Sequence, residues 1–197
     1  MGTSLWGTIL FVSIVSMTPG PNNLLLAASG ANFGFFKTLP HMFGVIVGFA
    51  LMVVASGFGL GVILNEFPQV ILPLKIMSVS CLLYLSWRIA TGGAHVDEGK
   101  SQPLTFLPAV LFQTINPKGI SFLLSIMGAQ ISETEPLLPQ LIPLFILLPA
   151  FTVLSAVTWT MFGTAIGKLM QSQGAFRVFN LVMALLLVAC VIPIAFG

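Results

Sequence analysis

The sequence predicts an all-α, polytopic membrane protein of about six transmembrane helices arranged as two inverted three-helix repeats. Three observations predict it. Hydrophobic residues make up 57% of the 197 positions and charged residues only 6%, with a mean hydropathy of +1.06. The apolar residues gather into six segments of bilayer-spanning length. Two of those segments, one in each half of the chain, are interrupted by proline and asparagine. A soluble domain usually carries about 25% charged residues, so this chain cannot cover a water-facing surface. It reads as one transporter-sized bundle over residues 1–197, with half-repeats at about 1–91 and 104–197.

A spanning helix needs about 20 mostly apolar residues. The expected spans are residues 5–28, 41–64, 68–90, 105–129, 136–166 and 175–196. Polar and helix-breaking residues fall between them, at 32–40, 65–66, 91–103, 132–135 and 167–174. The first span is expected to be retained rather than cleaved. No Lys or Arg precedes Leu5, and an internal Pro-Gly-Pro suits a signal peptide poorly. The fifth span is over-long and holds Pro139, Pro143 and Pro149, so its first part is expected to be interfacial, tilted or broken. Trp6, Tyr84 and Trp87 read as interface anchors or packing residues.

Charge sets the orientation. Lys37, Arg88, Lys100, Lys168 and Arg177 flank the connectors after spans one, three and five. The opposite set has Lys75 beside Glu66, Glu133 and Glu135. The positive-inside rule then puts the basic connectors in the cytoplasm and both termini outside. A net charge of +2 with no basic arm excludes a nucleic-acid partner. Cys81 and Cys190 lie in apolar runs without metal-ligand spacing and read as packing residues. No cofactor or metal is expected; the expected partners are a small-molecule substrate and the lipid bilayer. Gly44 and Gly48, continued by Gly57, Gly59 and Gly61, form a thin face on the second span. Such a face allows close helix contact inside the bundle, or alternatively a homodimer.

Function is written in the interruptions. The first span contains Ser16-Met17-Thr18-Pro19-Gly20-Pro21-Asn22-Asn23 and the fourth Gln113-Thr114-Ile115-Asn116-Pro117-Lys118-Gly119. Proline has no N–H and clashes with the carbonyl four residues before it. Carbonyls near Val15, Met17 and Gln113 should therefore lose their helix partners. Such groups cannot face lipid and must be buried in protein or line a wet cavity. Interrupted segments at corresponding places of two inverted halves point to a transporter's substrate site.

A half-helix starting near Asn22 offers free N–H groups and a positive dipole end to a carboxylate. Carbonyl ends before each Pro suit an ammonium group, and Asn22, Asn23 and Asn116 add neutral donors and acceptors. The expected substrate-binding set is Pro19, Gly20, Pro21, Asn22, Asn23, Gln113, Asn116, Pro117 and Lys118. At 1.5 Å per residue, Lys118 lies roughly 15–20 Å from either end of its span, beyond the reach of snorkelling. An ionisable residue at that depth is a functional candidate, for substrate carboxylate or for a proton. The alternative is a structural Lys bonded to freed carbonyls of the first break. No Asp or Glu lies well inside a span. A proton would thus have to be carried by Lys118, His41 or the substrate. His41, at the head of the second span, is expected to be solvated at the interface.

These residues carry a family resemblance. Met17-Thr18-Pro19-Gly20-Pro21-Asn22-Asn23, then Asn116-Pro117-Lys118, and Tyr84-Leu85 with Trp87-Arg88 closing the third span resemble the LysE/RhtB family of bacterial amino-acid exporters. The resemblance covers essentially the whole chain. It implies a multi-pass protein of the bacterial cytoplasmic (inner) membrane that exports amino acids or close derivatives, driven by the proton gradient. It also implies roles in transport for Pro19, Gly20, Pro21, Asn22, Asn116, Pro117 and Lys118. Many members carry an acidic residue after the second glycine of the second span; here Gly44 and Gly48 are followed by Phe49. That departure argues against carboxylate-based coupling and against a cationic substrate. With the doubled Asn22-Asn23 it resembles the branch exporting cysteine and O-acetylserine, with homoserine or threonine as the alternative.

Two other classes compete with a secondary exporter. An intramembrane enzyme needs a nucleophile with a base, or a metal pair, at membrane depth. His41 and His95 are the sole histidines, and neither a Gly-x-Ser-x-Gly nor a His-Glu-x-x-His pattern is present. An accessory or structural subunit needs docking surface, which the short connectors offer little of.

Overall fold

The computed structural model describes residues 5–59, 66–91, 102–131 and 136–196. The connector residues Asn65, His95, Asp97, Glu98, Lys100, Glu133 and Glu135 lie outside the described residues, as does Gly61. The described residues form helices and no strand.

Helix α1 (Leu5–Met17) and helix α2 (Pro21–Phe33) are the two halves of the first span, bent by 51° at the Pro-Gly-Pro break. Helix α3 (Phe35–Gly57) follows after Gly34 alone. The φ of +80° at Gly34 is a conformation that favours glycine, and its N–H bonds to Gly30 O. The second span thus starts earlier than the sequence predicts, with no connector over 32–40. The positive φ of Gly34 makes the single-residue reversal possible, and Thr38 Oγ1 donates to Gly34 O at 2.8 Å. Pro40 lies inside α3, beyond its first turn, and the helix continues through it.

A 3-10 turn at Pro68–Val70 leads into α4 (Ile71–Thr91). Helices α5 (Phe106–Thr114) and α6 (Pro117–Gln130) are the halves of the fourth span. Helix α7 (Leu137–Leu169) runs unbroken for 33 residues through Pro143 and Pro149, so of the expected interfacial, tilted or broken first part the broken alternative is removed. Leu141, Leu144 and Leu148 are all buried beside those prolines, so core packing holds the helix across the missing N–H groups. At about 50 Å it exceeds the bilayer's hydrocarbon thickness and must tilt or overhang. Helix α8 (Gln173–Ala189) starts at the Ser172 cap, and α9 (Val191–Phe196) completes the last span. Among the described residues, four segments are each long and apolar enough to cross a membrane: α3, α4 with its leading turn, α7, and Gln173–Ile194. The bent pair α1–α2 makes a fifth, and α5 with α6 occupies the remaining expected segment.

The principal helix pairs are α2 with α7, α3 with α5 and with α7, and α4 with α8. Small residues set the closest of these. A methyl group added to Gly163 would collide with the Ala27 backbone, to Gly167 with Ala31, and to Gly44 with Phe106 and Ala109. The Gly44–Gly48 face is therefore used inside the bundle. One core cluster joins Leu24, Leu25, Leu82, Leu85, Met183 and Leu187; another joins Val12, Phe49, Met52, Phe122, Leu123 and Leu148. Outward, Trp6, Phe36, Phe58, Ile146 and Leu169 are among many large apolar side chains left exposed, an arrangement suited to lipid.

Lys37, Arg88, Lys168 and Arg177 gather at one end of the bundle. Lys37 lies in the first turn of α3 beside the end of α2. Arg88 donates to Gln102 O, at 3.4 Å, just before α5. Lys168 ends α7, whose Gly167 lies against Ala31. Arg177 opens α8, which Asn180 ties to Asn32 by reciprocal amide bonds of 2.7 and 3.0 Å. Glu66 and Lys75 precede or begin α4 and so sit at the other end.

Candidate functional site

Both breaks place proline at the first position of a new helix, and they differ in what caps it. Gly20 precedes α2 with extended backbone and no side-chain cap. Its helix start leaves early N–H groups without intrahelical partners. Asn116 precedes α6, and its Oδ1 accepts from Lys118 N at 3.2 Å, so that start is capped by its own side chain.

The carbonyls released at the first break are those of Ser16 and Thr18. Asn23 Nδ2 donates to both, at 2.9 and 3.0 Å. Ser155 Oγ donates to Ser16 O at 2.7 Å and lies 3.1 Å from Asn23 Oδ1. At the second break Gln113 O accepts from Asn116 N at 3.1 Å, and Ser78 Oγ of α4 donates to Ile115 O. The carbonyls engaged outside the helix ladder, those of Ser16, Thr18, Gln113 and Ile115, thus lie at or close to the expected Val15, Met17 and Gln113. Bend geometry, which the sequence leaves open, chooses which carbonyl turns outward.

The two breaks meet. Asn22 Nδ2 donates to Gln113 Oε1, and Lys118 Nζ donates to Thr18 O at 2.7 Å. Between them lies a cavity of about 70 Å³ lined by Ser16, Gly20, Asn22, Asn23, Gln113, Asn116 and Lys118, with Phe49, Phe122, Thr152 and Ser155. Pro19, Pro21 and Pro117 shape the breaks without lining the cavity. Asn22 is 8% exposed and its Oδ1 has no partner among the described residues. A methyl group on Gly20 would stand 2.6 Å from Lys118 Cδ and 2.9 Å from Nζ, so the absent side chain makes room for the lysine.

Glu66 is the one described acidic residue, and it lies outside the cavity. The Lys118 ammonium therefore has a carbonyl partner and no carboxylate there. Among the described residues no group of His, Cys, Asp and Glu could hold a metal ion.

Phe49, Phe122, Thr152 and Ser155 are among the lining residues that the motifs do not contain. Ser155 and Thr152 come from α7, where the readable signal is small hydroxyls on one face of an apolar helix. Phe49 faces the cavity from α3 and stacks on Phe122, ring centroids 6.1 Å apart. His41 needs correction. With α3 beginning at Phe35, it lies inside the helix and is 1% exposed; it is not a solvated interfacial residue.

A family description of the LysE type translocator matches residues 13–195. The chain belongs to the LysE type translocator family. Similar proteins include the "Cysteine/O-acetylserine efflux protein" of Escherichia coli O157:H7, of Escherichia coli (strain K12) and of Shigella sonnei (strain Ss046). Each is 26% identical over 185 residues, covering 93% of this chain and 93% of the relative. No solved structure matches it. As a LysE type translocator it is a multi-pass inner-membrane transporter of a small molecule, and not an enzyme.

Proposed function

We propose that this translocator exports small neutral amino acids or their derivatives, of the cysteine/O-acetylserine kind, through the cavity between the two breaks. Homoserine and threonine are the alternative substrates. The carrying observation is that Lys118 and Asn22, whose Oδ1 has no partner among the described residues, line one cavity. A zwitterion supplies the complement of each. Its carboxylate pairs with the Lys118 ammonium and the open start of α2. Its ammonium is accepted by Asn22 Oδ1. Its side chain lies against Phe49 and Phe122, which favour a short, uncharged group.

Exchange of the first three spans for the last three turns the α2–α7 pairing into that of the fourth span with the second. The α3–α7 and α4–α8 pairings map onto themselves. That supports two inverted repeats about the cavity, the arrangement in which rocking of one half against the other gives alternating access. The gathered basic residues support a cytoplasmic location for their end. Lipid covers the exposed apolar faces, and any homodimer would use those faces rather than the Gly44–Gly48 seam.

The test loads cells with dipeptides of cysteine, serine, threonine and lysine and follows amino-acid efflux. Neutral substrates should leave through the intact protein and be retained by Asn22→Ala and Lys118→Met variants present at equal amount in the membrane. Unchanged efflux in both variants would sink the reading.

A further inference from the structure

Leu26, Val45 and Ala156 form the cavity wall on α2, α3 and α7. One turn beyond each, toward the basic end, stand Ser29, His41 and Thr160, exposed by 6%, 1% and 0%. Helices α2 and α7 run toward that end and α3 away from it, so the three side chains share one level. Ser29 Oγ is 3.0 Å from Thr38 Oγ1. His41 and Thr160 have nothing comparable. Neither ring nitrogen of His41, nor Thr160 Oγ1, has a partner among the described residues.

A buried polar atom without a partner costs about 1–3 kcal/mol, and three of them at one level call for an explanation. The closest helix contacts supply it. Gly30 lies against the Thr160 backbone, Gly163 against Ala27, Gly167 against Ala31 and Gly44 against Phe106. All lie between the cavity and the basic end, so this structure is closed on that side.

We infer that His41 and Thr160 line the polar route by which the substrate reaches the cavity from the cytoplasm, shut in this structure by the α2–α7 and α3–α5 seams. When the seams part, the imidazole offers one donor and one acceptor and the threonine a hydroxyl. These meet the ammonium and carboxylate of the zwitterion and its water. No carboxylate competes for them: the helices packed on α3, namely α2, α5, α6 and α7, bring Lys118 and Lys168 as their ionisable groups. The inference rests on the cavity being the central substrate site.

The test places a cysteine on the route by His41→Cys or Thr160→Cys, in a Cys81→Ala, Cys190→Ala background that still transports. A membrane-impermeant thiol reagent is applied to inside-out and right-side-out vesicles. Labelling should be at least about tenfold faster from the cytoplasmic face, a difference of about 1.4 kcal/mol, and slowed by substrate. Equal labelling from both faces, or none from the cytoplasmic face, overturns the inference. Independently, His41→Leu should raise the half-saturating substrate concentration about tenfold at the cytoplasmic face and leave it unchanged at the outer face, with His41→Gln restoring most of the loss. Equal effects at both faces would overturn it too. Lys118→Met should impair both faces. If it impairs neither, the cavity reading fails, while labelling at position 41 still decides the route.

Discussion

The Gly20-Pro21 break and the Asn116-Pro117 break start new helices in the same way and leave them in opposite states. At the second, the Asn116 side chain satisfies its own helix start and Lys118 projects away to the other half. At the first, glycine supplies no cap, so the helix start stays open and the lysine has space beside it. One break donates a charge and the other receives it. A pair of identical breaks would be either both capped, with no room for an anion, or both open, with no fixed cation. The packing is divided too. The first span is held chiefly through its post-break half α2, against α7, and the fourth through its pre-break half α5, against α3. Both tight halves lie toward the basic end.

The strongest way to break this comparison is to remove the donated charge. Lys118→Met should lower efflux by about 10–100-fold, the equivalent of about 1.5–3 kcal/mol for a hydrogen bond to a charged group. The check is initial efflux rate at matched membrane abundance, and retained activity would make Lys118 a structural tie to Thr18.

Next comes the receiving side. Gly20→Ala is conformationally permitted, since the residue is extended with a φ of −161°. Its methyl must therefore act by displacing Lys118. We expect about a tenfold rise in half-saturating substrate concentration with little change in thermal stability. A large fall in Tm with unchanged affinity would place the role of Gly20 in folding instead.

Asn116→Ala tests the capped side and should act on stability first, costing about 1 kcal/mol by loss of the cap. Thermal unfolding in detergent reads it, and Asn116→Asp or Asn116→Ser should recover most of the loss. If neither recovers it, the side chain's role at the cavity outweighs its role as a cap.

Ser155→Ala is the smallest perturbation. It removes one donor from Ser16 O, to which Asn23 also donates, and should cost about 1 kcal/mol or less. A loss as large as that of Lys118→Met would show that α7, rather than the two breaks, organises the site.

The sequence by itself determined the class of fold and the places where it fails to be regular. Composition requires a bilayer, and Pro19, Pro21 and Pro117 each lack the N–H that continues a helix, so the sequence marks where breaks can fall. The same local logic reads Lys118 as a charge that cannot reach water. What it could not determine depends on contacts between distant parts of the chain. Asn22 meets Gln113 across 91 residues, Lys118 meets Thr18 across 100, and Ser155 meets Ser16 across 139. Tertiary packing also decided that α7 runs through two prolines, that Gly34 alone separates α2 from α3, and hence that His41 is buried. Those outcomes follow from which helices lie against which, and local chemistry carries no record of a partner that only folding brings near.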